Sequence, residues 1–110
     1  MEKVNLSDYQ KVATESCFNA AAIGQHTLGL TDKVLNVANT VKAVERYRHS
    51  DYSQAETRRG IADSLGEVIR YCAALSHDLG YSLEEIALLN YGKLKSRQKR
   101  NKIHGSGDNR

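Results

Sequence analysis

A chain of 110 residues with a formal net charge of +3 has the length of one domain. It is long enough for a real core, yet short enough that a partner subunit would help to bury apolar surface. No apolar run approaches the length needed to cross a bilayer, and the polar opening Met1-Glu2-Lys3 reads as no secretory signal. The absence of proline and tryptophan, with six tyrosines, suits an all-helical protein. Charge is unevenly spread: residues 93–110 carry seven Lys/Arg against the single acid Asp108, a balance of +6, whereas residues 1–92 sum to −3. That asymmetry implies a polyanionic partner, either nucleic acid or the phosphates of a nucleotide. Cys17 and Cys72 each sit in an apolar helical pattern, which fits small hydrophobes in a reduced compartment, the cytoplasm, better than a disulfide or half a metal site.

Ser7-Asp8-Tyr9-Gln10 reads as a capping box opening a first helix, which Gly24 should end after about Ile23. A second helix is expected from Leu28 or Thr31 to Arg46, with Val34, Val37, Val41 and Val44 at helical spacing and Ala38 beside them. After a polar loop from Tyr47 to Tyr52, Ser53 and Glu56 form another capping box. The third helix carries Ile61, Leu65, Val68, Cys72 and Leu75 on one stripe, with Ile69 on its shoulder and Gly80 as its stop. Ser82 and Glu85 give a third box, opening a fourth helix through Ile86, Leu89 and Leu94. No strand alternation, repeat or second domain is visible. Short connections and wide stripes predict an all-α, four-helix antiparallel bundle spanning residues 1–110, with a basic tail at 93–110. Apolar residues on more than one face of the third helix predict a homodimer or higher oligomer.

Asp63-Ser64-Leu65-Gly66-Glu67-Val68-Ile69-Arg70-Tyr71, Leu79-Gly80-Tyr81-Ser82-Leu83-Glu84-Glu85, then Asn90, Lys93, Leu94 and Arg97, and the ending His104-Gly105-Ser106-Gly107-Asp108-Asn109-Arg110 resemble MazG-like nucleotide pyrophosphohydrolases. Leu6-Ser7-Asp8-Tyr9-Gln10, Gly29-Leu30-Thr31 and Val37-Ala38-Asn39-Thr40-Val41-Lys42 resemble the family's first two helices, so the likeness spans nearly the whole chain in order. It implies an all-α bundle assembled as a dimer or dimer of dimers. It also implies cleavage of a nucleoside triphosphate to monophosphate and pyrophosphate with Mg²⁺ and an activated water. In that family four carboxylates hold the metal, a Glu-x-x-Glu on the second helix and a Glu-x-x-Asp on the third. Residues three apart share a helix face, so the two pairs converge, and Mg²⁺ takes hard oxygen ligands.

At those four positions this chain has Lys33, Asn36, Ser64 and Glu67. Three are not acidic, and one is an ammonium, so the expectation is little or no Mg²⁺ binding, with Glu67 as the sole remaining candidate catalytic group. A Lys33–Glu67 ion pair would then replace the metal as the tie between helices. Asp32 and Asp63 each precede a lost position, but a one-residue shift turns a side chain about 100° around a helix; the favoured reading is that Asp32 caps a helix start and Asp63 is solvated.

The resemblance assigns substrate and phosphate contacts to Tyr71, Asn90, Lys93, Arg97, His104, Asn109 and Arg110. Asn90, Lys93 and Arg97 fall on one helical face, where Lys and Arg offer charge-assisted bonds to phosphate. Arg70, on an otherwise apolar helix, either snorkels to solvent or pairs with an acid. His26, His49, His77 and His104 lack metal-ligand spacing and read as surface or internally satisfied histidines. Ser7, Ser53 and Ser82 read as caps rather than nucleophiles. Gly105-Ser106-Gly107 is no Walker loop, since no Gly-Lys-Ser/Thr follows.

Three functions fit these residues. The favoured one is a catalytically impaired pyrophosphohydrolase relative that binds a nucleotide or another phosphorylated small molecule. The second is an active Mg²⁺-dependent enzyme with a noncanonical metal site, since Mg²⁺ often keeps several waters and few protein ligands. The third is a nucleic-acid or protein-interaction module using the basic tail, against which stand the scarcity of nearby aromatics and the lack of a reading motif.

Overall fold

The computed structural model describes residues 2–15, 22–47, 49 and 51–100. They form four helices and no strand: α1 Leu6–Glu15, α2 Ile23–Tyr47, α3 Ala55–Asp78 and α4 Leu83–Lys99. Among these residues α3 touches each of the other three helices, whereas α2 packs on α3 alone. The fold is therefore a long α2–α3 hairpin, with α1 and α4 laid on α3 and on each other.

Helix starts differ from the expectation at three points. Asn5, not Ser7, caps α1: its Oδ1 accepts from the Asp8 backbone N–H at 2.8 Å, and its Nδ2 donates to the Asp8 carboxylate. Ser7 is thereby released to donate across to Glu84 of α4 at 3.2 Å. Gln10, expected to reach back in a cap, is buried and turned inward. At the head of α3 the N-cap is Gln54, which makes no side-chain cap bond. Asp51 accepts instead from the Ser53 backbone and hydroxyl, and Arg58 donates to the Tyr52 and Ser53 carbonyls. The Ser82–Glu85 box alone forms as expected, with both reciprocal bonds present.

The boundary between the first two helices also moves. Gly24 does not stop a helix; it lies inside α2, which begins at Ile23 with the His26 N–H bonded to the Ala22 carbonyl. Glycine in a helix costs about 1 kcal/mol, but tertiary contacts hold this turn: His26 is buried and paired with Asp78 of α3. Asp32, expected at a helix start, consequently lies in the interior of α2. Gly80 behaves as read. With φ +81°, it follows Leu79, donates to the His77 carbonyl, and is followed by Tyr81 N–H to Ser76 O. That is a Schellman stop, which needs the left-handed conformation that glycine adopts without strain.

Among the described residues the core is thin and made of small side chains. Ala13, Ala73 and Leu83 form a buried cluster with Tyr9 and Cys72 packed against it, and no large side chain among the described residues is fully buried. On α2 the expected stripe is covered at Val44 and half-covered at Val37 and Val41, while Val34 and Ala38 face outward. On α3 the residues that are covered are Thr57, Ala73, Ala74 and Ser76, whereas Leu65 and Ile69 are nearly half exposed.

Candidate functional site: the α2–α3 seam

Gly29 sets the distance between the two long helices. A Cβ built there would lie 2.3 Å from the Tyr71 ring, so only glycine admits that ring against the α2 backbone. With Gly29 opposite Tyr71 and His26 opposite Asp78, the hairpin is antiparallel, and stepping one turn along each helix brings Lys33 level with Glu67. Asn36 and Ser64 follow one turn further. The four positions matched to the family's metal ligands thus lie at corresponding heights on facing helices.

Their states differ. Lys33, Ser64 and Glu67 are half-buried, whereas Asn36 is exposed. The Ser64 hydroxyl donates to the Gly60 carbonyl of its own helix at 3.2 Å. Glu67 is engaged not by Lys33 but by Arg70, whose Nε donates to its carboxylate at 3.2 Å. The expected Lys33–Glu67 tie is therefore replaced by a pair within α3, three residues apart, where one helix already holds both partners in reach. Lys33 makes no ion pair among the described residues. Asp63 pairs with Arg59 on the exposed side of α3 at 2.8 Å, away from the seam. No group of three or more His, Cys, Asp or Glu able to hold a metal occurs among the described residues.

Around this level the seam is lined by rings and charges. The Arg70 guanidinium lies 4.7 Å from the Tyr71 ring centroid, a cation–π contact, and Tyr71 meets His26 edge-on at 6.3 Å. His26 Nδ1–H donates to Asp78 Oδ2, and both side chains are about nine-tenths covered or more. From α1, the Tyr9 hydroxyl donates to the Gly66 carbonyl at 3.5 Å. Burial pushes the Tyr9 phenol above its ordinary value, the Glu67 carboxylate adds to this, and Arg70 opposes it, so both charges are felt at the α1 edge. Burial likewise raises the Cys72 thiol, which favours its protonated form. Cys17 lies outside the described residues.

The remaining sequence candidates are on α4. Asn90 and Lys93 are exposed, while Arg97, expected beside them on a phosphate-binding face, is 5% exposed and has interaction partners. Because α4 does not touch α2, these residues form a second region rather than the other wall of the seam within the described part of one chain. His104, Asn109 and Arg110 lie outside the described residues.

Sequence reasoning missed His26, Asp78, Gly29 and Gln10. Gln10 is the most fully used of them: Nε2 donates to the Ala73 and Tyr81 carbonyls at 3.1 and 3.2 Å, and Oε1 accepts from the Leu83 N–H at 3.0 Å. It ties α1 to α3 and to the turn that opens α4. Gly29 had a usable signal, since a glycine inside a helical pattern often marks close approach. The His26–Asp78 pair had none, because its members are 52 residues apart.

Fold and seam together define an all-α protein built on an antiparallel helical hairpin, with a charged and aromatic cluster between its long helices. Over 94 residues the chain is 35% identical to the Gene 37 protein of Mycobacterium phage L5, an alignment covering 86% of this chain and 82% of that one. It belongs to the family of that phage protein. Neither a protein-family model nor a solved structure matches the chain.

Proposed function

We propose that this protein is a MazG-like pyrophosphohydrolase relative that binds a nucleotide or another phosphorylated small molecule and has lost the hydrolytic step. One observation carries the reading: the level of the seam where the family resemblance calls for four carboxylates holds one, and that one is neutralised by Arg70. Mg²⁺ needs several hard oxygen donors, supplied by carboxylates, phosphates and water. Glu67 beside Arg70, facing Lys33, is a poor start for such a shell, and these residues do not fit the metal. No hydrolytic step is therefore derived through it.

The assembly belongs to the same proposal. Leu28, Val34 and Leu35 on α2 and Leu65 and Ile69 on α3 are about half or more exposed, while the protomer buries mostly alanine. A homodimer or homotetramer burying these outer faces supplies the core that one chain lacks. No described helix is long and apolar enough to cross a membrane, and the free thiol of Cys72 suits the cytoplasm.

Pyrophosphate release from a panel of NTPs and dNTPs with Mg²⁺ or Mn²⁺ tests the lost step, and the expected result is no turnover above background. Turnover that disappears in Glu67→Ala would sink the reading. Nucleotides should raise the melting temperature even in EDTA, since a ligand of the native state stabilises it. Restoring the acids with Lys33→Glu, Asn36→Glu, Ser64→Glu and Glu67→Asp together should recover Mg²⁺ binding, read by calorimetry.

A further inference from the structure

Lys33 is a half-buried cation on the face α2 turns to α3, and among the described residues no carboxylate pairs with it. A lysine whose stem lies along a neighbouring helix keeps its charged head at the rim, where an anion from solution can reach it. The acid level with it, Glu67, already serves Arg70. Arg70 is itself held in place, stacked on Tyr71 and bonded through Nε to Glu67, and its side chain keeps 28% of its surface exposed. The Tyr71 ring rests against the α2 backbone at Gly29, which lies four residues, about 6 Å by helical rise, from Lys33. Apart from the His26–Asp78 pair, this part of the seam carries two cations, Lys33 on α2 and Arg70 on α3, and the Glu67 carboxylate, beside a ring that fixes the arginine.

We propose that this seam is a metal-independent diphosphate site in which Lys33 and Arg70 hold the anion at the level where a metal-dependent enzyme would hold a cation. The inference rests on the nucleotide-binding reading and deepens it by naming the ligand's diphosphate group and its two cationic partners. Arg70 supplies an oriented charge and Lys33 a mobile one; the ammonium is a compact point charge on a flexible stem, able to follow phosphate oxygens. Free Mg²⁺ competes with the two side chains for the same oxygens, so it weakens binding here, the reverse of its effect on a metal-dependent nucleotide site.

Calorimetry with inorganic pyrophosphate and with ATP, each in EDTA and again in excess Mg²⁺, tests the site on the full chain. Binding of both in EDTA, weakened several-fold by Mg²⁺, is expected. Lys33→Met and Arg70→Gln should each weaken pyrophosphate about tenfold or more, Lys33→Arg should retain it, and Lys42→Met should leave it unchanged. Binding of ATP but not pyrophosphate would assign recognition to the nucleoside and overturn the diphosphate site. Wild-type affinity in Lys33→Met and Arg70→Gln, with loss in Lys93→Ala, would move the ligand to α4 and leave the nucleotide-binding reading standing. No binding of either compound at millimolar concentration would remove both readings. Since seam variants can unfold the hairpin, the wild type provides an independent measurement. Pyrophosphate in EDTA should slow acetylation of Lys33 several-fold in mass-spectrometric mapping while Lys42 is unaffected, and equal rates at Lys33 with and without it would overturn the site.

Discussion

Gln10 illustrates how much a single buried amide can organise. Both its donor hydrogens and its carbonyl oxygen are used, on partners belonging to α3, to the turn before α4 and to the first residue of α4. Truncation to alanine strands the buried Leu83 N–H and removes the donor from the buried Ala73 carbonyl and the part-buried Tyr81 carbonyl, and a stranded buried group costs about 1–3 kcal/mol. Gln10→Ala is therefore expected to lose roughly 2–4 kcal/mol in urea denaturation. Gln10→Glu should lose at least as much at neutral pH, because its carboxylate still accepts from Leu83 but sets a buried charge against the Ala73 and Tyr81 carbonyls; a smaller loss would show that the acceptor side carries the contact. In the sequence Gln10 reads as a local cap because Ser7 lies three residues before it. Asn5 takes that task, and no local pattern announces that the glutamine faces inward.

At the scale of elements, glycine decides more than apolar periodicity does. Gly29 and Gly66 both lie inside long helices, yet a Cβ at Gly66 meets nothing within 4 Å, while one at Gly29 strikes the Tyr71 ring. Helix propensity alone predicts that either substitution by alanine stabilises by about 0.5–1 kcal/mol. Gly66→Ala should do so. Gly29→Ala should instead lower the melting temperature, because the ring must leave the seam and take the Arg70 stack and the His26 edge contact with it. Restoration in the double variant Gly29→Ala/Tyr71→Leu would assign the loss to that contact. The Gly80 stop and the Ser82–Glu85 box were legible in the sequence because each is closed by residues within five positions of one another. The start of α2 was not legible, since it depends on a partner at the far end of α3.

For the whole molecule the dominant fact is how much apolar surface the described residues leave exposed. A chain whose described residues place alanines at the centre and Leu28, Leu35, Leu65, Leu88 and Leu89 at or near half exposure or beyond presents apolar faces that a second copy would cover. Sedimentation should find a dimer or tetramer at micromolar concentration. Leu28→Lys with Leu35→Lys, one α2 face apart by two turns, should shift it toward monomer and lower its melting temperature in a concentration-dependent way. A monomer in the wild type would reject the assembly. Salt offers a further contrast, since an apolar interface should tolerate it while ligand binding at the half-buried cationic seam should weaken.

Composition, helical spacing, the Gly80 stop and the Ser82 cap were enough to establish four helices and the boundary between the third and the fourth, because those features are set by neighbours along the chain. The sequence also established which residue types stand at the four positions matched to metal ligands, and therefore how little acid remains there. Only the tertiary structure decided that Glu67 is taken by Arg70, that Lys33 is left at the seam, that Tyr71 rests on Gly29, and that His26 pairs with Asp78. Those are contacts between residues one turn or half a chain apart competing for the same partners. Such competition is settled by distance and burial, which periodicity along one helix does not contain.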